Sequence, residues 1–428
     1  GQLWYAWADA NRYTPVTRAI HLMPWPQPLR MGDFFESVGW VSPQEQIRLP
    51  SFSDGDRYPL KPLDCKPGAS PPNILLIVLD AWRHDMLGPG TTPNLWEYSR
   101  KSWVFSHHYA AANETRYGVF GMFYGLVGSY WTTMLGQSRG PVLMDELVNQ
   151  GYRMGVYGSA ALTSPEFDRT VFVRVRDSIP LSTPGADMAQ KDMEITRRFL
   201  AFLDQPSPKP FFGFLFYDAP HAYEYPDQAH APFQPVWNSI NYSELNPDFD
   251  PLPFVNRYKN AVHFADSEAA KVLQALARKG LDKTTVVVIT ADHGQEFNDT
   301  GHNYWGHGGN FSDAQVRVPL VIHWPGEPPR VFTHMTSQLD LAPTLLTRAL
   351  GCKTDPALYS NGRLLLRQDP RPFMMVSSGT RFGLVEADRI TVVEDFGEIQ
   401  VVDKNLNPMK AEPDGAKLKQ VLDEMRKF

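Results

Sequence analysis

The sequence has almost no cysteine and no long apolar run. Among its 428 residues, only Cys65 and Cys352 carry thiols. Two thiols form neither a disulfide-rich scaffold nor a zinc-knuckle pattern. They either pair in an oxidising compartment or remain as buried thiols, and the sequence leaves both options open. No segment approaches the ~20 apolar residues that a membrane-spanning helix requires, and the longest runs, such as Ile74 to Leu79, have the length of a strand.

A basic excess and a signal segment are also missing. The formal net charge is -6, whereas a general nucleic-acid binder shows a basic patch or stripe. The chain starts with Gly and has no basic-then-apolar leader, which indicates a processed chain or an excised piece. Its first residues, G-Q-L-W-Y-A-W-A, are rich in Trp and Tyr, which favour membrane interfaces. They predict either a cut just after a spanning helix or an ordinary aromatic element.

Length and composition predict one large domain and a smaller one. A chain of 428 residues exceeds what one small core needs, and 43% hydrophobic with 21% charged residues is ordinary for a globular protein. Residues 1–72 are rich in proline and predict an irregular lead-in. Residues 73–365 form the predicted main domain, and residues 366–428 form a predicted C-terminal subdomain.

Strands and helices alternate through the main region. Continuous apolar runs predict buried strands at 73–79, 211–217, 284–290 and 318–324. Helical periodicity predicts helices at 142–150, 187–203 and 254–278, and Thr92 before Pro93 predicts a capped helix start. This alternation predicts an α/β fold, with a mainly parallel central sheet and helices on both faces. Beyond about residue 370, short segments predict antiparallel strands, followed by a last helix from about residue 416.

Polar clusters follow three of these strands at their carboxyl ends. Asp80 follows the first strand, Asp218 and His221 follow the second, and the stretch T-A-D-H-G-Q-E-F (290–297) ends the third. Ligands of open α/β sheets bind outside the carboxyl ends of the strands, so we expect these clusters to share one edge. Each residue alone is better explained as a turn cap or a hydrogen-bonded histidine. The three clusters together favour a functional site.

Asp80, Asp292 and His293 are candidate metal ligands. Carboxylate oxygens combined with an imidazole suit one divalent ion such as Mn, Mg or Zn. Thr115 is the candidate nucleophile because it precedes a stretch with helical apolar spacing, where orphan N–H groups favour negative charge. A metal could activate its hydroxyl towards phosphorus or sulfur. A simple helix cap is the alternative role of Thr115, and the two roles are compatible.

Five motifs resemble successive signatures of the alkaline phosphatase/sulfatase superfamily. They are N-I-L-L-I-V-L-D-A-W-R-H-D-M-L, T-T-P-N-L, Y-D-A-P-H-A-Y, I-T-A-D-H-G-Q-E-F and V-R-V-P-L-V-I-H-W-P-G. The resemblance covers about residues 73–350 and is specific in the order of its motifs. Within the superfamily, W-A-D-A-N-R-Y-T-P-V-T and Y-G-V-F-G-M-F-Y-G-L resemble the periplasmic region of YejM-type inner-membrane sulfatase-like proteins. Those proteins carry transmembrane helices ahead of this region and act in outer-membrane lipid homeostasis.

The resemblance implies roles for individual residues. The implied metal ligands are Asp80, Thr115, Asp292 and His293, and Thr115 is also the implied nucleophile. The implied groups on the substrate side are His221 and His307, with His302 as a weaker candidate and with Asn113 and Arg116 facing the substrate by position.

The nucleophile segment departs from the sulfatase pattern. Formylglycine sulfatases carry Cys or Ser in a C/S-x-P-x-R frame, whereas Thr115 is followed by R-Y-G. In this respect the chain resembles the lipid-modifying phosphotransferases of the superfamily, which move phosphoethanolamine or phosphoglycerol through a phospho-threonine. Some YejM-type proteins have lost the Asp-His pair and act as lipid sensors, but this chain keeps the full set.

The resemblance implies a periplasmic metalloenzyme domain at the bacterial inner membrane. We expect it to hydrolyse or transfer phosphate esters, less readily sulfate esters, in lipopolysaccharide homeostasis. The alternative is a non-catalytic sensor of lipid A or cardiolipin with a vestigial metal site. Expected partners are phospholipid or lipopolysaccharide headgroups and a regulatory membrane protein. Arg18 and Trp25 are the lipid-binding candidates, since Arg suits phosphate oxygens and Trp suits the headgroup level, unless this segment is a strap packed on the main domain.

Overall fold

Strands and helices alternate along the part of the chain that the computed structural model describes, residues 57–226, 231–379, 381–394 and 397–428. The strands are β1 Asn73–Leu79, β2 Trp103–Tyr109, β3 Arg153–Gly158, β4 Phe211–Tyr217, β5 Thr285–Thr290, β6 Glu296–Phe297, β7 Trp305–Gly306, β8 Leu320–His323, β9 Arg330–Ser337, β10 Met374–Ser378, β11 Arg381–Val385, β12 Arg389–Val393 and β13 Ile399–Asp403. The α-helices are α1 Pro93–Ser99, α2 Thr115–Tyr124, α3 Trp131–Gln137, α4 Val142–Asn149, α5 Met188–Asp204, α6 Ala219–Ala222, α7 Leu252–Arg278, α8 Asp313–Val316, α9 Leu341–Arg348 and α10 Gly415–Glu424. Arg18 and Trp25 lie outside the described residues.

A seven-stranded sheet runs in the order β3-β4-β1-β5-β8-β2-β9. Strands β3, β4, β1 and β5 are mutually parallel, β8 is antiparallel to both β5 and β2, and β9 is parallel to β2. A separate sheet of β10 to β13 is antiparallel throughout. These features confirm the predicted α/β class and the small antiparallel sheet near the C-terminus. The domain boundary at residues 365 and 366 stays a prediction.

The central strands are apolar on both faces because both faces are covered. In β1, Ile74, Leu76 and Val78 pack into one hydrophobic cluster, whereas Leu75, Ile77 and Leu79 pack into a second. Strand β5 divides its valines and isoleucine between the same two clusters. Full burial of such a side chain contributes about 1.5–3 kcal/mol. The continuous apolar runs therefore anchor the middle of the sheet and fix where its carboxyl edge lies.

The start of α1 differs from its prediction in one detail. Thr92 occupies the residue before the helix, but it makes no capping hydrogen bond, and its hydroxyl donates to the Met86 carbonyl at 2.9 Å. The carboxylate of Asp266 in α7 caps α1 instead, accepting from the backbone N–H groups of Leu95 at 2.8 Å and Asn94 at 3.2 Å. The predicted Thr92 side-chain cap is therefore wrong.

The two cysteines form a disulfide. Cys65 and Cys352 are joined at 1.97 Å across a sequence separation of 287 residues, which decides between the two options that the sequence left open. The bridge ties the segment before β1 to the residues after α9, and the Lys66 N–H also donates to the Gly351 carbonyl at 3.2 Å. Within the described residues, no helix combines the length and hydropathy needed to cross a membrane.

Candidate active site

Two neighbouring strands bring the predicted metal ligands together. Strands β1 and β5 pair in parallel with Val78 opposite Thr290, so the residues that follow them emerge at the same level. Asp80, Asp292 and His293 are each no more than 2% exposed, and each offers a ligand atom within 4.8 Å of the others. The predicted clustering at the carboxyl edge is therefore present.

The backbone after Asp80 helps to hold Asp292. Ala81 adopts a left-handed conformation with φ of 60°, which is costly for a residue with a Cβ. This turn lets the Ala81 N–H donate to Asp292 Oδ1 at 3.1 Å, and the His293 N–H donates to the same oxygen at 2.9 Å. The Tyr258 hydroxyl holds the turn by donating to the Ala81 carbonyl at 2.8 Å. Asp292 therefore has one fixed oxygen, and its other oxygen remains for a ligand.

Thr115 is the first residue of α2 and faces the same donors. Its hydroxyl Oγ1 lies 3.1 Å from His293 Nε2 and 3.5 Å from Asp80 Oδ2. The first N–H groups of an α-helix have no partner within the helix and favour negative charge nearby. The hydroxyl of Thr115 thus lies between a helix N-terminus, a carboxylate and an imidazole, as a metal-activated nucleophile requires.

Two uncharged residues set the distance between α2 and the end of β5. A Cβ on Gly118 would lie 2.4 Å from the Asp292 carbonyl oxygen, so glycine permits the close approach of α2. Gln338 is fully buried and bridges the segment between β2 and α2 to the residues after β5. Its Oε1 accepts from the Ala111 N–H at 2.7 Å, and its Nε2 donates to the Asp292 carbonyl at 2.9 Å. Sequence analysis missed both residues.

The donor set fits a divalent metal ion. Asp80 Oδ1 and Asp292 Oδ2 are buried without a hydrogen-bond partner, and they lie 3.6 Å and 3.5 Å from His293 Nε2. A tetrahedral ion with ligands at ~2.1 Å holds neighbouring donors ~3.4 Å apart. The observed spacings, including those of Thr115, are close to that value. Buried, unpartnered carboxylate oxygens around a neutral imidazole are what an ion would satisfy.

Burial perturbs the titration of all three predicted ligands. Burial and the charges of Asp292 and Asp218 raise the pKa of Asp80 well above its usual value. Burial also raises the pKa of Asp292 to about 6, although two backbone hydrogen bonds oppose the change. Burial lowers the pKa of His293 to about 3. Without an ion, burial therefore favours the protonated form of the carboxyl pair, and binding of an ion opposes that preference.

Two imidazoles present Nε2 as an acceptor. His293 Nδ1 donates to the Gly294 carbonyl at 2.8 Å, because a carbonyl only accepts. Gln295 donates its amide to the Tyr223 hydroxyl, so its Oε1 accepts from His307 Nδ1 at 3.2 Å. The His293 and His307 rings stack with centroids 4.3 Å apart, and burial, with these neighbours, keeps the pKa of His307 well below its usual value. Both rings are thus neutral bases or ligands.

The pKa of His221 is shifted in the direction opposite to those of His293 and His307. Its Nδ1 lies 3.3 Å from Asp218 Oδ1. Burial lowers the pKa of His221, but the hydrogen bond and charge of Asp218 outweigh burial, and the pKa is raised overall. The His221 ring lies 5.1 Å from that of His307. His221, which can be protonated, therefore lies beside His307, which stays neutral. This pairing suits a general acid next to a hydrogen-bond acceptor.

A cavity of about 460 Å³ opens onto Thr115. It is lined by Glu114, Thr115, Arg116, Ser164, Pro165, His307 and Gly308. Arg116 Nη2 lies 3.6 Å from Glu166 Oε2, and the guanidinium lies over the Trp131 ring at 5.4 Å. The cavity joins the predicted nucleophile, one predicted basic group and Arg116, and its size suits a small ester.

The remaining predicted residues have other surroundings. Asn113 is fully buried and donates its amide to the Asn310 carbonyl at 2.7 Å, which holds the segment before Thr115. His302 is exposed, and its charge contributes, after hydrogen bonds from Asn407, to lowering the pKa of Asp403 in β13. The substrate roles of Asn113 and His302 stay predictions.

Glu296, the last acidic residue of T-A-D-H-G-Q-E-F, is not part of the donor set. It is fully buried and accepts hydrogen bonds from Thr300 at 2.9 Å, Asn310 at 2.7 Å and Gln315 at 2.7 Å. One carboxylate therefore holds three residues between β6 and β8. The stretch thus combines two predicted ligands, one structural carboxylate and Gln295, whose amide orients His307.

The fold and site together define an alkaline phosphatase-like α/β domain with its donors at the carboxyl edge of the sheet. The Sulfatase family model matches residues 72–352, which is more than half of the chain. The chain belongs to the Sulfatase family.

Individual relatives agree with this assignment. The Inner membrane protein YejM of Salmonella typhimurium is 27% identical over 431 residues, covering 99% of this chain and 68% of the relative. A structure of a protein in the alkaline phosphatase superfamily from Vibrio parahaemolyticus matches with a TM-score of 0.61 and 18% identity, covering 90% of each chain. The zinc complex of the C-terminal periplasmic domain of EcEptC from Escherichia coli matches with a TM-score of 0.57 and 17% identity, covering 74% of this chain and 92% of that one. At these identities the two structures support the fold.

Proposed function

We propose that this chain is the periplasmic sulfatase-like domain of an inner-membrane protein and that its site cleaves or transfers phosphate esters. The relative named Inner membrane protein YejM aligns with nearly the whole chain, which in turn spans 68% of that relative. The structural neighbour from Escherichia coli is named a periplasmic domain and was determined with Zn. These similarities support the compartment and the kind of ion, and the chemistry is argued from the site.

The observation that carries the proposal is the position of the Thr115 hydroxyl. It lies 3.1 Å from His293 Nε2 and 3.5 Å from Asp80 Oδ2, at the N-terminus of α2 and at the floor of the cavity. A threonine that served only as a helix cap would need none of these neighbours. Two buried carboxylate oxygens without partners complete the set. The arrangement favours an activated hydroxyl over a structural one.

Asp80, Thr115, Asp292 and His293 would hold a divalent ion, Mn, Mg or Zn, which would supply Lewis acidity that lowers the pKa of the Thr115 hydroxyl. Thr115 Oγ1 forms a bond to phosphorus as the bond from phosphorus to the leaving oxygen breaks. The proton of Thr115 passes to solvent.

Side chains in and near the cavity contact the ester. His221, kept protonatable by Asp218, donates a proton to the leaving oxygen. His307, with Nδ1 committed to Gln295, is limited to accepting or binding through Nε2. Arg116 can exchange its long contact with Glu166 for a phosphate oxygen, because guanidinium groups pair well with phosphate.

The second half of the reaction decides between a hydrolase and a transferase. Water or an acceptor hydroxyl attacks the phospho-threonine, and neutral His221 takes the proton of that nucleophile. The Thr115 oxygen leaves and is protonated again. Sulfate esters are a weaker expectation because the chain lacks the formylglycine frame.

Hydrolysis of an aryl phosphate and an aryl sulfate with the same leaving group tests the proposal. The chain would be assayed with Mn, Mg or Zn and with chelator, as wild type, Thr115→Ala and Thr115→Ser. Thr92→Ala is the matched control, because Thr92 is likewise a threonine at the start of a helix but lies outside the cavity. We expect metal-dependent phosphate cleavage that falls at least 100-fold in Thr115→Ala and is retained in Thr92→Ala. Equal turnover in wild type and Thr115→Ala would contradict the assigned nucleophile.

A further inference from the structure

A carboxylate outside the donor set holds the segment that carries Asp218 and His221. Asp192 lies in α5 and is 0% exposed. Its Oδ1 accepts from the Asp218 N–H at 3.0 Å, and its Oδ2 accepts from the Ala219 N–H at 3.1 Å. The Ser159 hydroxyl, just after β3, donates to Oδ1 at 2.5 Å. Asp192 therefore joins the ends of β3 and β4 to the first turn of α6.

The arrangement replaces an ordinary helix cap. Asp218 precedes α6, and an aspartate at that position normally caps its own helix through its side chain. Here the Asp218 side chain makes no capping hydrogen bond, and the second helical residue, Pro220, has no N–H to donate. The Asp218 carboxylate instead faces His221 at 3.3 Å and approaches Asp80, while Asp192 holds the backbone of Asp218 and Ala219.

His221 depends on this support because little else fixes it. Its side chain is 41% exposed, and α6 has four residues, too few for a helix to be stable by itself. By contrast, Asp192 is rigidly held in α5. The Thr196 hydroxyl donates to the Asp192 carbonyl at 3.0 Å and contacts the Tyr217 hydroxyl at 3.0 Å, which fixes this turn of α5 against β4.

We propose that Asp192 is a positioning residue for the ester cleavage step. It accepts from the N–H groups of Asp218 and Ala219 and so fixes the backbone from which the Asp218 carboxylate orients His221 as the proton donor. Asp192 touches neither the cavity nor the predicted metal ligands, so it acts through Asp218 and His221. The inference rests on the proposed function for its kinetic consequence, but its structural consequence can be measured without turnover.

The test compares Asp192→Ala and Asp192→Asn with the same changes at Asp266. Asp266 is a matched control because it is also a buried aspartate on a helix, and it also accepts two backbone N–H groups at the start of another helix, α1. The helix α1 carries none of the proposed site residues. Both alanine variants lose a buried cap, so similar losses of thermal stability are expected.

The kinetic readout separates positioning from stability. We expect Asp192→Ala to lower kcat for the aryl phosphate about 100-fold, the cost of a ~1 Å misplacement, with KM changed less than about threefold because a proton donor acts in the transition state. Asp192→Asn, which keeps an acceptor oxygen, should recover much of this loss. The Asp266 variants should keep the wild-type kcat. Equal losses of kcat at the two positions would overturn the proposal.

Imidazole nitrogen NMR spectra of the metal-free chain provide the readout that is independent of turnover. We expect the His221 resonances to move in Asp192→Ala and to stay in Asp266→Ala. The reference is His263, whose Nδ1 lies 3.0 Å from the Thr91 carbonyl beside α1. Unchanged His221 resonances in Asp192→Ala would overturn the inference. Absence of turnover in every variant and in wild type, with His221 displaced, would instead refute the proposed function.

Discussion

Adding a single methyl group to α2, in Gly118→Ala, should disturb the spacing between α2 and Asp292 and lower the activity. A Cβ on Gly118 would lie 2.4 Å from the Asp292 carbonyl oxygen, about 1 Å closer than ordinary van der Waals contact. In Gly118→Ala, either α2 or the segment after β5 must therefore move by roughly that distance. Either movement changes the separation of Thr115 from His293 and Asp80. A misplacement of ~1 Å costs about 100-fold in rate.

The control for this substitution is Gly136→Ala. Gly136 lies in α3 and is exposed, with no atom within 4 Å of a built Cβ. Alanine favours a helix interior over glycine by about 1 kcal/mol, so Gly136→Ala should stabilise the chain slightly. Gly118→Ala has the same gain in propensity, but overpacking costs about 1–3 kcal/mol. The two variants should therefore differ by about 1–3 kcal/mol in the free energy of unfolding.

Urea unfolding and aryl phosphate turnover of both variants provide the comparison. We expect Gly118→Ala to bind the ion more weakly and to lose about 100-fold in kcat, whereas Gly136→Ala keeps the wild-type kcat. If Gly118→Ala were as stable and as active as Gly136→Ala, the close approach of α2 to Asp292 would have no functional role. The argument that glycine sets the position of Thr115 would then be refuted.

Three further predictions concern the bridge, the carboxyl pair and His307. Replacing both Cys65 and Cys352 with serine should lower the free energy of unfolding by up to about 5 kcal/mol, because the bridge closes a loop of 287 residues. The raised pKa of Asp292 means that this group stabilises the metal-free folded state while it is protonated, so the stability of wild type relative to Asp292→Asn should fall by about 3 kcal/mol as pH rises through about 6. Gln295→Leu should lower kcat about tenfold, because it removes the hydrogen bond that fixes the tautomer of His307.

Each of these predictions has a direct check. Urea unfolding with and without reductant measures the contribution of the bridge, and equal midpoints would contradict it. Urea unfolding of chelated wild type and Asp292→Asn across pH measures the carboxyl effect, and a stability of wild type relative to Asp292→Asn that rises from pH 4 to 7 would contradict the assigned sign. Turnover of Gln295→Leu, compared with Gln205→Leu on the exposed residue after α5, tests the tautomer argument. Equal kcat in these two variants would contradict it.

The strands that the sequence predicted share one physical property. β1, β4 and β5 are buried on both faces, and their continuous apolar runs are visible without a structure. Strands β2 and β9 were missed because W-V-F-S-H-H-Y and R-V-F-T-H-M-T-S mix polar and apolar residues. They lie at the far side of the sheet, where one face is less covered, so their composition carries a weaker signal.

The predicted ligands and the nucleophile were accessible from sequence because they follow those apolar strands directly. The residues that position them were not. Gln338, Asp192 and the capping residue Asp266 are polar side chains in or beside helices, and their partners lie up to 227 residues away in sequence. Such long-range contacts leave no local pattern. Only Gln295 had a signal, since it lies inside T-A-D-H-G-Q-E-F between the ligands and the structural Glu296.

The central claim is that Asp80, Asp292, His293 and Thr115 form a metal site. Calorimetric titration of the chelator-treated chain with Zn, Mn and Mg tests it most directly, in two buffers that differ in their enthalpy of ionisation. We predict saturable binding of one ion per chain, release of a proton from the carboxyl pair, and loss of binding in Asp292→Asn but not in Asp266→Asn. Failure of all three ions to bind the wild-type chain, or binding that survives Asp292→Asn unchanged, would contradict the account.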